Sequence, residues 1–250
     1  MPLTPEIKIA FRDLLRDARA QAIKDSERFE ELLFVFEKLG SLLTQRIGAL
    51  GHYQSEIVTL AEESTLAENI PSLYRESHSS ATVLFSLVRN ARNDALYQGA
   101  FARHLTTHAI ELSIILEDAL TTMATKVSDF MVRNPVCAEM WQPLSFIRQQ
   151  MLANSFSYLP VNNGGTWELV EDTDIVLFLR KPNTNRNSQL AMTLKDACGN
   201  GLKFSTNPPI VSANEDIMNI LGKLNGRPLL VHRQSEPSEL VGIITSFDLL

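Results

Sequence analysis

A segment of about sixty residues occurs twice in the second half of this chain, which restricts that half to architectures packing two like units together. The first copy reads Val127-Ser128-Asp129-Phe130-Met131, then Asn134-Pro135-Val136, an amphipathic helix, the strand Tyr158-Leu159-Pro160-Val161, a turn, and Leu169-Val170-Glu171-Asp172-Thr173-Asp174. The second keeps that order: Leu194-Lys195-Asp196, Pro208-Pro209-Ile210-Val211, a second helix, the strand Pro228-Leu229-Leu230-Val231, a turn, and the closing Gly242-Ile243-Ile244-Thr245-Ser246-Phe247-Asp248. Asn163-Gly164-Gly165 stands between two strands, where a hairpin turn is expected. Pro237 and Ser238 read as the matching turn, and Lys181 to Gln189, rich in Asn, Ser and Arg, as the linker between copies.

The closing motif carries the chemistry. An apolar strand from Leu240 to Ile244 stops at Thr245, an acid follows at Asp248, and Leu249-Leu250 begin a helical pattern. A hydroxyl and a carboxylate side by side at a strand-to-helix junction have two uses. They cap the helix, or the carboxylate accepts two hydrogen bonds from a vicinal diol such as a ribose while the hydroxyl donates to a phosphate.

Two such copies, the second ending in Gly-x-x-Thr-x-x-Asp, resemble a pair of cystathionine-beta-synthase (CBS) domains, over roughly residues 123–250, the first copy about 123–182 and the second about 190–250. The resemblance implies an α+β fold in which small β-α units pack as a pseudo-twofold pair and hold adenosine-type ligands in the clefts between them. It implies a sensor rather than a catalyst, with AMP, ADP, ATP or S-adenosylmethionine as ligand and no required cofactor. Thr245 and Asp248 are the expected ligand-binding pair, with Pro209, Ile210 and Val211 supplying apolar contact and backbone groups to a base. In the first copy only Asp174 matches, because Glu171 stands at the threonine position and Glu168 at the glycine. A carboxylate there would repel a phosphate at short range, so one competent nucleotide site per chain is expected. The sequence ends two residues after Asp248, where the CBS pattern continues into a helix. The resemblance thus implies that the N-terminal half or a second subunit covers that wall, or that the chain is a fragment.

Residues 1–122 read as an all-α helical bundle of about four antiparallel helices. Phe29, Leu33, Phe36, Leu39, Leu43, Ile47 and Leu50 recur at three- and four-residue steps along one predicted long helix; Leu105, Ala109, Leu112, Ile115, Leu116 and Leu120 do the same later. Pro71 breaks the pattern, and Ser79-Ser80 precede the apolar run Val83, Leu84, Leu87 and Val88 as a capped helix start would. The last stripe runs almost without interruption into Lys126-Val127, which makes it a lever between the halves.

Within this half, Arg92-Asn93-Asp94 with Tyr97 before Gly99 is similar to a degenerate Arg-x4-6-His motif of HEPN helical domains, some of which are metal-independent ribonucleases. The resemblance implies Arg92, Asn93 and Tyr97 as candidate catalytic residues at a composite dimer site. Tyr97 stands where the histidine belongs, and a phenol with a pKa near ~10 is a poor base at neutral pH. The competing use of Arg92, Asn93, Asp94 and Tyr97 is a polar network tying the helices or a dimer seam together.

Charge and composition narrow the rest. Residues 1–122 carry 12 basic and 17 acidic side chains and the remainder 11 and 12, so neither half has the basic stripe that nucleic-acid binding requires. No apolar run reaches transmembrane length and no secretory core opens the chain, so a cytoplasmic protein is expected. Cys137 and Cys198 lack metal-binding spacing and read as buried thiols. His104 and His108 stand four apart without the glutamate of a metalloprotease helix, so no metal is expected. His232 and Arg233, just after an apolar strand, are candidate phosphate contacts. No phosphate loop, dinucleotide glycine motif or nucleophile elbow is present. The function these readings imply is a non-enzymatic homodimeric regulator that senses an adenosyl ligand and signals to its helical half. A ligand-controlled HEPN-type ribonuclease or toxin, and a structural dimerisation protein with a degenerate CBS pair, are the alternatives.

Overall fold

The computed structural model describes residues 3–25, 28–95, 102–182, 184–205 and 207–250; side chains at 93–95, 102–105 and 237 lie outside the described set. The chain divides into two compact units, Met1–Ala124 and Thr125–Leu250.

Unit 1 is helical. Helix α1 (Pro5–Lys24) starts where the Thr4 hydroxyl accepts from the Ile7 N–H and proline takes the first helical position, and it buries Phe11, Leu15, Ala18 and Ala22 along one stripe. It packs against α2 (Phe29–Thr44) and α6 (Ala102–Thr121), with α5 (Ala81–Ala95) on α6; two short helices, α3 (Gln54–Ala61) and α4 (Asn69–Leu73), fill the connection. Leu32, Phe36, Leu39, Phe85, Leu112 and Leu116 form the centre of one core. Across the seam between α1 and α6, the Glu117 carboxylate accepts from Arg19 Nε and Nη2 at 2.8 Å each, with Arg16 Nε at 3.5 Å. The Glu117 hydrogen bond raises the pKa of the Arg19 guanidinium against the opposing effect of burial. A Glu117→Ala substitution leaves that guanidinium without its acceptor and is expected to cost roughly 2–3 kcal/mol, read as a lowered urea midpoint.

Several expected boundaries move. Helix α2 ends at Thr44, whose hydroxyl bonds back to the Gly40 carbonyl at 2.8 Å, and Gln45 turns left-handed with φ 54°. The predicted long helix through Ile47 and Leu50 is therefore broken: Ile47 is fully exposed, and Leu50 is buried from a separate 3-10 turn, Leu50–Tyr53. The Tyr53 hydroxyl fixes the break by accepting from Gly48 N–H and donating to the Arg46 carbonyl. On α5 Ala81, Leu84, Phe85 and Val88 are buried, while Val83 and Leu87 face outward. Helix α6 stops at Thr121 and the following turn ends any continuous helix before Val127.

Unit 2 repeats itself in its hydrogen bonds. Leu144 N–H donates to the Met192 carbonyl as Ile217 N–H does to Thr125; Leu194 N–H to Gln142 as Val127 to Glu215; Lys195 N–H to Met140 as Ser128 to Ala213. Each bond runs from one copy to the other and has a counterpart running back, which is the signature of a pseudo-twofold pair. Asn134 and Asn207, both just before a proline, both adopt positive φ (48° and 56°), where asparagine is the least strained residue after glycine.

The strands follow the same exchange. In the second copy β4 (Ile210–Ser212) lies parallel to β5 (Leu229–Arg233), which pairs antiparallel with β6 (Glu236–Ile244). The outer neighbour of β6 is β1 (Val132–Arg133), which follows the short helix α7 (Val127–Phe130) at the beginning of the first copy, giving the order β1-β6-β5-β4. Reciprocally, the hairpin β2 (Tyr158–Asn163) and β3 (Thr166–Glu171) is flanked by Ala138 of its own copy and by Ser205 from the head of the second. Gly164 and Gly165, at φ 63° and 92°, make the two-residue hairpin turn, with the Asn162 side chain accepting from Gly165 N–H.

Three details depart from the sequence reading. Helix α8 (Leu144–Asn154) has no α-helical partner in the second copy, where two 3-10 turns, Ile217–Asn219 and Leu221–Lys223, stand instead. Residues 217–228 span three fewer than 144–158, and Gly222, Asn225 and Gly226 disfavour the helix that remains. The β5–β6 turn falls at Gln234-Ser235, and Pro237 and Ser238 sit in a bulge of β6, where a missing proline N–H is tolerated. Within the expected linker, α10 (Arg186–Ala191) forms behind an Asn185 cap, and Gln189 Nε2 donates to the carbonyl of Phe178, in α9 (Asp172–Leu179), at 2.7 Å.

Candidate functional site

Strand β6 delivers Ile243, and Thr245 directly after it, to the rim of a cavity of about 520 Å³, and the 3-10 turn Ser246–Leu249 brings Phe247 and Asp248 to it. Asp248 Oδ2 accepts from both Thr245 N–H and Thr245 Oγ, each at 2.8 Å. The carboxylate therefore closes the turn and is fixed in orientation by it. The pair caps a turn, and that turn holds a carboxylate at a cavity wall.

The opposite walls come from the first copy. Val132, Pro135 and Val136 line one side because β1 is hydrogen-bonded to β6, with Val132 opposite Ile243 and Arg133 opposite Gly242. Gly242 makes that pairing close: a Cβ there would lie 2.5 Å from Met131 Sδ and 3.0 Å from the Val132 carbonyl oxygen. The turn after α8, from Asn154 to Ser157, and the start of β2, Tyr158 to Pro160, complete the enclosure with Pro228. Three aromatic rings, Phe156, Tyr158 and Phe247, and three prolines give it flat apolar surfaces suited to a planar base.

The other expected contacts are placed elsewhere. Pro209, Ile210 and Val211 do not line this cavity: they enter β4, which is separated from β6 by the whole of β5. Their counterparts by repeat alignment are Val136, Cys137 and Ala138, and Val136 does reach the cavity. The chain exchanges its lead strands between copies, so the strand type was legible but the copy supplying it was not. Asp174 lies in α9, partly buried and away from Asp248's cavity. Glu171 is buried and does not stand as a lone repelling charge, because Arg227 Nη2 approaches it at 3.3 Å and Arg227 Nη1 donates to Ser205 Oγ. By repeat alignment Arg227 matches Ser157, so a guanidinium tied to a carboxylate stands in the first copy where the second site has a small hydroxyl. His232 and Arg233 are also away from the cavity, with Arg233 paired to Glu239 at 3.3 Å.

In unit 1, Arg92 Nη2 pairs with Glu37 of α2 at 2.8 Å. The side chains of Asn93 and Asp94, and Tyr97 as a whole, lie outside the described residues, as does the side chain of His104. A hollow of about 700 Å³ runs beside Phe34, Glu37 and Ile47, and its one carboxylate is the one Arg92 already holds. Among the described residues no group of three or more metal-ligating side chains occurs, and no helix is long and apolar enough to cross a membrane. Cys137 and Cys198 are half-buried rather than fully buried. Desolvation by burial, with Glu139 nearby, raises the Cys137 thiol, and burial with Glu168 nearby pushes Cys198 up to about 11, which leaves both as weak nucleophiles at neutral pH.

No family model and no curated protein matches the sequence. Solved structures that match this chain are CBS-domain proteins, and the matches cover half of it. A CBS domain-containing protein from Bacillus anthracis is 12% identical over 50% of this chain and 88% of its own, with a TM-score of 0.41. CBSX2 in complex with AMP is 17% identical over 50% and 92%, at 0.39, and CbpB in complex with c-di-AMP 13% identical over 52% and 84%, at 0.41.

Proposed function

We propose that unit 2 is a paired CBS module that binds one adenosyl ligand per chain in the Thr245–Asp248 cavity, and that the protein is a regulator and not a catalyst. The observation that carries this reading is the fixed carboxylate: Asp248, oriented by two bonds from Thr245, faces a cavity of nucleoside size walled by aromatic and proline surfaces. A carboxylate offers about four acceptor positions, enough to receive the two hydroxyls of a ribose beside the Thr245 donors. The base then lies against Phe156, Tyr158 or Phe247. Because both copies wall the cavity, a ligand there strengthens their contact, and this is how its occupancy would be passed to unit 1 within a cytoplasmic homodimer. Arg92, held by Glu37, favours the structural use of the helical unit over a ribonuclease site.

The test is thermal unfolding of the full chain with adenosine, AMP, ADP, ATP and S-adenosylmethionine, repeated with Asp248→Ala. A ligand at a hundred times its dissociation constant stabilises the folded state by about 2.7 kcal/mol. At least one of the five is expected to raise the midpoint by several degrees in the native chain and by none in Asp248→Ala, whose own stability falls by about 1 kcal/mol with the lost cap. An equal shift in both proteins would dismiss Asp248 as the ligand's anchor.

A further inference from the structure

We infer that Arg227 is a positioning residue for the Thr245–Asp248 cavity. Standing outside the cavity, it anchors the segment Gly226–Pro228 to the sheet of the first copy, and that segment fixes two of the cavity's walls, Tyr158 and Pro228. The inference rests on the reading of the cavity as a ligand site and adds what holds its walls in place.

Asn225, Gly226 and Arg227 are exposed, so apolar burial does not hold them in place. Gly226 takes a left-handed φ of 74°, and glycine loses more conformational freedom on ordering than any other residue. Contacts to the first copy's sheet supply what burial does not. The Gly226 carbonyl accepts from Tyr158 Oη at 3.3 Å. Arg227 Nη2 lies 3.3 Å from Glu171 Oε1 as an ion pair, and Arg227 Nη1 donates to Ser205 Oγ at 3.3 Å. Directly after Arg227, Pro228 is buried and lines the cavity.

These contacts share one frame. Tyr158 and Glu171 stand opposite each other in the β2–β3 hairpin, and Ser205 pairs with Leu169, two residues before Glu171. A guanidinium held by Glu171 and Ser205 therefore sets the Gly226 carbonyl against the hydroxyl of Tyr158, whose ring walls the cavity. Glu171 is 8% exposed, and a charge pair with one partner withdrawn from water is screened less than one on the open surface. By repeat alignment Arg227 corresponds to Ser157, which lines the cavity itself. The position that borders a ligand space in one cleft is thus spent in the other on an internal contact, and that contact braces the first.

Two measurements on the full chain test this. One is the NMR signals of the Tyr158 ring in the ligand-free protein, assigned with Tyr158→Phe; the other is isothermal titration with adenosine, AMP, ADP, ATP and S-adenosylmethionine. Both compare the native protein with Arg227→Ala and with the pair Arg227→Ala/Glu171→Gln. The pair leaves no orphaned carboxylate in the sheet, so it separates the lost brace from a weakened hairpin. Glu117→Ala, in unit 1, is the control that loses stability without touching this frame. Both Arg227 variants are expected to move the Tyr158 ring signals and to weaken the ligand that the native chain binds best by about fivefold, which corresponds to the net contribution of one hydrogen bond. Glu117→Ala is expected to change neither. Tyr158→Phe is expected to weaken binding similarly, and Arg227→Ala to add less than about twofold to it, because the two act through the same bond. Unmoved ring signals, or native affinity in both Arg227 variants, would overturn the inference. If none of the five ligands binds the native chain, the adenosyl reading fails by itself, and the ring signals alone decide whether Arg227 positions the wall.

Discussion

Gly242→Val is expected to uncouple β1 from β6 and to abolish ligand binding as well. The position has no room for a side chain: a Cβ would stand 2.5 Å from Met131 Sδ and 3.0 Å from Met131 Cγ and the Val132 carbonyl oxygen. The sulfur can swing aside, but the carbonyl belongs to the strand that β6 must pair with, so relief requires β1 to withdraw. Overpacking of this kind costs about 1–3 kcal/mol, and here the displaced strand also carries Val132, Pro135 and Val136, which wall the cavity. The urea midpoint should fall accordingly. Hydrogen exchange should quicken at Asn134, whose N–H bonds to the Val241 carbonyl, and no adenosyl ligand should shift the melting curve. A variant with native stability and intact ligand response would show that the β1–β6 contact does not organise the site.

The second large effect is expected in unit 1. Gly40 lies inside α2, where replacement of glycine by alanine ordinarily gains about 1 kcal/mol of helix propensity. At this position the new methyl group would overlap the Tyr53 ring at Cβ, Cγ and Cδ2. Tyr53 is 2% exposed and cannot retreat without releasing its hydroxyl from Gly48 and Arg46, which hold the Gln45–Ala49 loop. The overlap outweighs the propensity, and Gly40→Ala is expected to destabilise by a net ~2 kcal/mol. Fluorescence-detected urea unfolding measures it, and a gain in stability would contradict this packing.

Much of unit 2 could be read from the chain because its signals are local. The hairpin at Gly164-Gly165 needs two left-handed residues in a row, which glycine supplies. The hydroxyl and acid at Thr245 and Asp248 are three residues apart on one turn, so their meeting follows from sequence spacing alone. The cavity's far wall was not legible, because Val132 to Val136 reach it through a pairing with β6 more than a hundred residues away, and nothing at 132–136 says which sheet they join. The same holds for Arg227, whose bond to Glu171 replaces an expected repulsion with a neutral pair. In unit 1 the periodicity of residues 29–50 continues past the helix end. The apolar pattern reports burial of Leu50, but only the left-handed Gln45 and the Tyr53 hydroxyl show that it is buried from a different element.

The traded lead strands have a mechanical meaning. Val132-Arg133 closes the second sheet and Ser205 the first, so each half completes its partner as two clasped hands do. Neither half is self-sufficient. An injury to either clasp is therefore shared by both.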